Sequence, residues 1–322
     1  MKRFLIAVVM AALMISGGHA AAQSYPARTV SLVVPSAPGG ATDIFGRMIA
    51  RELELRFKRP VIVTNNAGAG GLIGTESVAR AAADGHTLLL GYQGVITVNP
   101  VLHAKISYDP EKDFTPVSLL ARLTFVLSVH PSVKAGSVAE FIALAKSAPG
   151  KLNYGSAGAG TTSHLAMELF KYEAGVDIVH VPFKGSGPAS NLLLAGGLSA
   201  SFENIATALP RIRSGELRGL GVAGPERTPL APDIPTVAEG GVKGYDVTSW
   251  FGILVPSGTA REPLDRLTEA LADSMRNAEF RKRMTDMGLE PMNTSSEVFR
   301  SQISAELAKW RRVVKQAGIS AQ

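Results

Sequence analysis

Strands alternate with helices along this chain, and two of the changeovers run through loops rich in glycine. Val30-Ser31-Leu32-Val33-Val34 is a β-branched run that stops at Pro35, the pattern of a buried strand. Residues 43–57 then set Ile44, Phe45, Met48, Ile49 and Leu53 on one helical face and Arg47, Arg51, Glu52 and Arg56 on the other. Lys58-Arg59-Pro60 closes that helix, and Val61-Ile62-Val63 begins another strand. A helix over 74–83 and a strand at Thr87-Leu88-Leu89-Leu90 follow. This order specifies a parallel sheet, because a helix is what carries the chain back over a sheet to start a parallel strand.

The theme repeats with a strand over 125–129, a helix over 138–147, a strand over 152–154, a helix over 162–173 and strands over 178–181 and 199–202. Residues 250–255 are apolar up to Pro256, and 263–315 read as helices broken around 288–296. The expected fold is α/β with two lobes, each a mainly parallel sheet flanked by helices. Domain 1 comprises residues 23–124 and 249–322, and domain 2 is inserted as residues 125–248. The chain crosses between them near 123–130 and 246–252, which makes a hinge.

The N-terminus bears on the compartment. Lys2 and Arg3 precede an apolar run over 4–15, too short to span a bilayer, and Ser16-Gly17-Gly18 and Ala20-Ala21-Ala22 supply breakers and small residues. Residues 1–22 are expected to be a cleaved signal peptide, and the protein periplasmic. Losing Lys2 and Arg3 leaves about +4 of the chain's +6 charge, spread with no basic cluster, so no nucleic-acid partner is expected. There is no cysteine, hence no disulfide and no lipid anchor of the lipoprotein kind. A monomer is expected.

Two loops carry the same device. Pro35-Ser36-Ala37-Pro38-Gly39-Gly40-Ala41-Thr42-Asp43 joins a strand to a helix, and so does Gly155-Ser156-Ala157-Gly158-Ala159-Gly160-Thr161-Thr162-Ser163-His164. Glycines let a ligand approach the backbone, and a helix N-terminus offers unpaired N–H groups that favour an anion. Two such loops, one per lobe, can grip one small anion across a cleft. A β-carbon at Gly39 or Gly40 is expected to exclude a positive φ or to screen the amides. Neither loop is a nucleotide motif: the third glycine of the dinucleotide fingerprint and a Gly-Lys-Ser/Thr are both missing. Gly155-Ser156-Ala157-Gly158 is not a nucleophile elbow, and no histidines have metal-ligand spacing, so no catalytic residue, metal or cofactor is expected. Asp43 reads as a first-turn helix acid and Lys184 as the best cleft cation by position.

These loops belong to an ordered set. It runs through Pro38-Gly39-Gly40-Ala41-Thr42-Asp43, Gly68-Ala69-Gly70-Gly71, Ala83-Asp84-Gly85-His86-Thr87-Leu88-Leu89 and Asn99-Pro100. It continues through Tyr108-Asp109-Pro110, Asp113-Phe114-Thr115-Pro116-Val117, Gly160-Thr161, His164-Leu165-Ala166 and Val181-Pro182-Phe183-Lys184-Gly185. In this the chain resembles the Bug family, the substrate-binding receptors of tripartite tricarboxylate transporters. The resemblance implies a type II, Venus-flytrap-like periplasmic binding fold whose two loops grip a ligand carboxylate. By position the matching residues are Ala37, Gly39, Gly40, Ala41, Thr42 and Asp43 in one lobe. In the other they are Ser156, Ala157, Gly158, Gly160, Thr161, Thr162 and His164. Positions that vary with ligand are Ser36, Tyr92, Gln93, Phe183, Lys184, Phe202, Glu203 and Asn204. Ser36 stands where many members place an aromatic residue, and Glu203 where Asp is usual.

The functional reading is a receptor for a small carboxylate, a dicarboxylate, an acidic amino acid or an aromatic carboxylate, serving membrane transporter subunits. Alternatives are a ligand sensor feeding a two-component sensor kinase and a periplasmic hydrolase of a carboxylate ester. The enzyme reading lacks a nucleophile and base at recognisable spacing.

Overall fold

The computed structural model describes residues 25–317 apart from 104, 159 and 184, so the expected signal segment 1–22 lies outside the described residues. The strands are β1 (Val30–Val34), β2 (Val61–Asn65), β3 (Thr87–Tyr92), β4 (Phe114–Leu123), β5 (Phe125–Val129), β6 (Asn153–Ser156), β7 (Val179–Pro182), β8 (Ala200–Asn204), β9 (Arg218–Val222), β10 (Ser249–Pro256) and β11 (Leu289–Pro291). They form a six-stranded sheet in the order β11-β4-β10-β3-β1-β2 and a five-stranded sheet in the order β7-β6-β8-β5-β9. Helices flank both.

The sheets are mixed. β1 runs parallel to β2 and β3, and β6 parallel to β7 and β8, as strand–helix alternation requires. β10 and β4 pair antiparallel within the first sheet, and β5 is antiparallel to β8 and β9 in the second. The antiparallel members include the strands at which the chain changes sheet. β4 ends at Leu123 and β5 starts at Phe125, with only Thr124 between.

Burial explains the apolar runs. Val30, Leu32 and Val34 pack with Phe45 and Ile49 on one face of the first sheet, while Val33 packs with Val78, Leu89 and Trp250 on the other. A strand covered on both faces must be apolar throughout. β4 is harder to read because Pro116 interrupts it. Opposite β10 the register shifts there, Ser118 facing Ile253 and Pro116 facing Leu254, so Val117 is an extra residue in a bulge that tolerates proline. The helix Ser186–Leu194 hides behind Gly187 and Pro188, which sit in its first turn, where a missing N–H costs nothing.

The C-terminal helix, Ser296–Ala317, belongs to both halves. Phe299, Ile303 and Leu307 enter the core with Leu119 and Trp250 of the first sheet. Trp310 and Val313 enter the core with Tyr154, Phe170 and Tyr245 on the other side. Glu306, between these groups, is buried and accepts from Trp250 Nε1 at 2.9 Å and Thr97 Oγ1 at 2.9 Å. Burial raises its carboxyl pKa, against the pull of Lys309 and of these donors.

Candidate functional site

The first loop leads from β1 into the helix Ala41–Phe57. Gly39 takes the left-handed turn at φ +84°, while Gly40 is extended at φ −80°. Asp43 is 3% exposed and staples this turn. It accepts from Gly39 N at 2.8 Å, from Arg47 Nε at 3.1 Å and from Asn65 Nδ2 at 2.9 Å. Burial pushes its carboxyl up, but these donors outweigh it and hold the pKa below the ordinary value. Asp43 therefore serves the loop, and the Gly39 amide is spent on it. The expectation of a positive φ at either glycine resolves to Gly39 alone. Ser36 Oγ is buried without a partner. Tyr92 O–H lies 3.5 Å from Pro35 O, and burial pushes its phenol up to about 12.

The second loop leads from β6 into the helix Thr162–Ala174, with Gly158 at φ +132° and Gly160 at φ +77°. Its side chains largely satisfy its own backbone. Ala157 N donates to Ser163 Oγ at 3.0 Å, Gly158 N to Ser156 Oγ at 3.2 Å and Gly160 N to His164 Nδ1 at 3.0 Å. Thr161 Oγ1 donates to Gly158 O at 2.7 Å. What stays open toward a ligand is the first helical turn after Thr161, whose N–H groups have no intrahelical acceptor.

Behind this loop lies a stack of rings. His180 is sandwiched between Tyr154, 4.7 Å between centroids, and His164, 4.2 Å. Tyr154 O–H donates to Glu168 Oε1 at 2.6 Å, and Lys171 Nζ to the same oxygen at 2.8 Å. His180 Nε2 is 2.7 Å from Ser156 Oγ, a hydroxyl–imidazole pair that sequence spacing did not disclose. Ser156 is 1% exposed and also engages the Gly158 amide, so the pair locks the loop and presents no accessible nucleophile.

The stack makes stability depend on pH. Burial first, then the neighbouring His164, pushes His180 down from 6.5 to about 4, and burial lowers His164. Below the ordinary value the unfolded chain takes up protons that the folded chain refuses, so stability falls as pH falls. Between pH 6.5 and about 4 the melting temperature is expected to drop, and His180→Asn to flatten part of that drop. Thermal unfolding across that range checks it; identical slopes for the two proteins would contradict it.

A cavity of about 260 Å³ opens at the strand ends of the second sheet, lined by Phe125, Ala157, Thr161, Thr162, Ser163, Ser186, Ala189, Ser201, Phe202, Glu203 and Asn204. The helices Thr162–Ala174 and Ser186–Leu194 begin at its wall. Asn204 caps a third, Ile205–Arg213, by accepting from Ala206 N at 2.8 Å. Helix N-termini gathered around a hollow favour an anion by about 0.3–1 kcal/mol each.

Of the residues chosen from sequence, Ala157, Thr161, Thr162, Phe202, Glu203 and Asn204 meet around this cavity, while Ser156, Gly158, Gly160 and His164 shape the loop behind it. Gln93 is wholly buried; its Nε2 donates to Thr248 O at 2.8 Å and its Oε1 accepts from Thr162 Oγ1 at 3.4 Å, so it brackets the second loop to the other half. Phe183 packs beside Leu193, Leu198 and Leu217. Ser36, Ala37, Gly39, Gly40, Ala41, Thr42, Asp43 and Tyr92 sit at the strand ends of the first sheet and do not line this cavity. Lys184 lies outside the described residues. Sequence reading missed Phe125, Ser163, Ser186, Ala189 and Ser201 as lining residues. Gly185-Ser186 was the available signal, a helix start two residues past the Lys184 position. Among the described residues no group of His, Asp or Glu is placed to hold a metal, and no helix is long and apolar enough to cross a membrane.

Comparison with known proteins agrees over most of the chain. The model of a tripartite tricarboxylate transporter family receptor matches residues 45–319. The structure of R. palustris Rpa4515 with adipate is 37% identical, covers 92% of this chain and 99% of that one, and superposes with a TM-score of 0.78. MatC from Rhodopseudomonas palustris with bound malate is 34% identical over 90% of this chain and 100% of its own, with a TM-score of 0.74. The periplasmic binding protein BugD is 31% identical over 92% of this chain and 100% of its own, with a TM-score of 0.75.

Proposed function

This chain belongs to the tripartite tricarboxylate transporter receptor family, and from that premise we propose that it captures a small carboxylate in the cleft between its lobes and delivers it to the membrane subunits of such a transporter. The family and its solved members are periplasmic solute-binding proteins, not enzymes. The observation that carries the proposal is the convergence of helix N-termini and the hydroxyls of Thr161, Thr162 and Ser163 on one cavity. That chemistry suits a carboxylate, and related receptors hold adipate and malate.

In this reading residues 23–124 with 249–322 form one lobe and 125–248 the other. The loop Ser36–Asp43 completes the grip when the lobes close on the ligand, so contacts from both favour the closed state. Residues 1–22 direct export and are removed, and the receptor works as a monomer. Ligand candidates are dicarboxylates, acidic amino acids and aromatic carboxylates.

Mass spectrometry of small molecules carried through a native purification, followed by calorimetric titration, tests the proposal. A carboxylate recovered unchanged in stoichiometric complex is expected. Recovery of a neutral sugar or a cation, or of a hydrolysed ester, would overturn it.

A further inference from the structure

We propose that Glu203 reads the far end of the ligand, and that this ligand is a carboxylate bearing a protonated amine. The inference rests on the carboxylate-receptor reading above and narrows its ligand class.

Glu203 is the charged residue among the described residues lining the cavity, and it is 8% exposed. Its neighbours leave it half satisfied. Ser190 donates to Oε1. Arg211 also bonds Ser190, and its Nη1 stands 3.7 Å from the same Oε1, an ion pair that supplies a countercharge without a direct hydrogen bond. Oε2 has no partner. Ser128, on the adjoining β5, lies close enough to favour the charged form, yet its own hydroxyl is unpartnered too. A buried carboxylate oxygen out of reach of bulk water and without a donor is costly, and burial raises the Glu203 pKa accordingly.

The rest of the cavity has the opposite preference. The first turns of Thr162–Ala174 and Ser186–Leu194 offer N–H groups and positive dipole ends. An anion-seeking wall facing an under-donated carboxylate fits a molecule with a negative end and a hydrogen-donating positive end. A ligand with two carboxylates would bring a second negative charge to the Arg211–Glu203 pair, which favours protonation of one of the carboxylates and weakens binding relative to an amine.

The test compares length-matched pairs in calorimetric titrations of the wild-type protein at neutral pH. Each pair is a dicarboxylate, succinate or adipate, and the amino acid in which an aminomethyl group replaces one of its carboxylates. Benzoate and phenylacetate are run beside them. We expect the amino member of a binding pair to be favoured by about ten- to a hundredfold, and Glu203→Gln to remove that preference. A wild-type preference for the dicarboxylate, or equal affinities, would overturn the assignment. So would a Glu203→Gln protein that loses affinity for both members of a pair equally, since that marks a structural role. If the variant does not fold, the wild-type ratio decides by itself. Binding of benzoate or phenylacetate with no binding by either pair removes the Glu203 assignment and leaves carboxylate capture standing. Failure of every carboxylate removes both.

Discussion

Trp310→Ala is expected to lower the stability of the whole chain by about 3–5 kcal/mol, the usual cost of emptying a large aromatic site in a core. The indole is fully buried and packs with the core of Tyr154, Phe170 and Tyr245. That loss is a large share of the roughly 5–15 kcal/mol that separates folded from unfolded domains. Both halves should respond, because Phe299, Ile303 and Leu307 on the same helix lie in the other core. Arg311, the next residue, is exposed, and Arg311→Ala should change stability by no more than about 0.5 kcal/mol. Urea unfolding of the three proteins, followed by two probes, measures this. A loss below about 1 kcal/mol in Trp310→Ala would mean that the end of the helix contributes little packing.

Gly39→Val is expected to weaken ligand capture tenfold or more, and Gly40→Ala to leave it within about threefold. The two glycines are adjacent but unlike. Gly39 sits at φ +84°, where a β-branched side chain is strongly disfavoured, whereas Gly40 sits at φ −80° with only Ala37 O, at 4.0 Å, near a built β-carbon. Moving Gly39 out of the left-handed region pulls its N–H off Asp43, leaving a buried carboxylate short of one donor and the first helical turn misplaced. Titration with the ligand identified by native purification, together with thermal unfolding of both ligand-free variants, separates lost binding from lost fold. Near-normal affinity in Gly39→Val would take this loop out of the binding site.

The alternation of strand and helix was legible because it is local. A run such as Val30–Val34 must be buried on both faces, and the sequence shows it. The glycine loops were legible for the same reason, since Gly39, Gly158 and Gly160 occupy backbone conformations that other residues avoid. Partnerships across the chain were not. Ser156 meets His180 only because β6 and β7 lie side by side, and Gln93 shares Glu306 with Trp250 across most of the sequence. Glu203 was visible as an unusual acid, but its half-satisfied state depends on Ser190 and Arg211 from separate helices. The antiparallel members of each sheet were hidden because the change of sheet at Thr124 leaves no breaker in the sequence.

The shared helix also sets an order in time. Trp310 and Val313 are synthesised after the residues they pack against, so the core around Tyr154 and Phe170 is incomplete until they emerge, and Phe299, Ile303 and Leu307 likewise complete the core around Trp250. A chain that emerges N-terminus first therefore leaves these two cores open until Leu307 and Val313 have been made, although the core around Phe45 and Ile253 has all its buried residues by Leu289. Completion of both cores thus waits on this one helix.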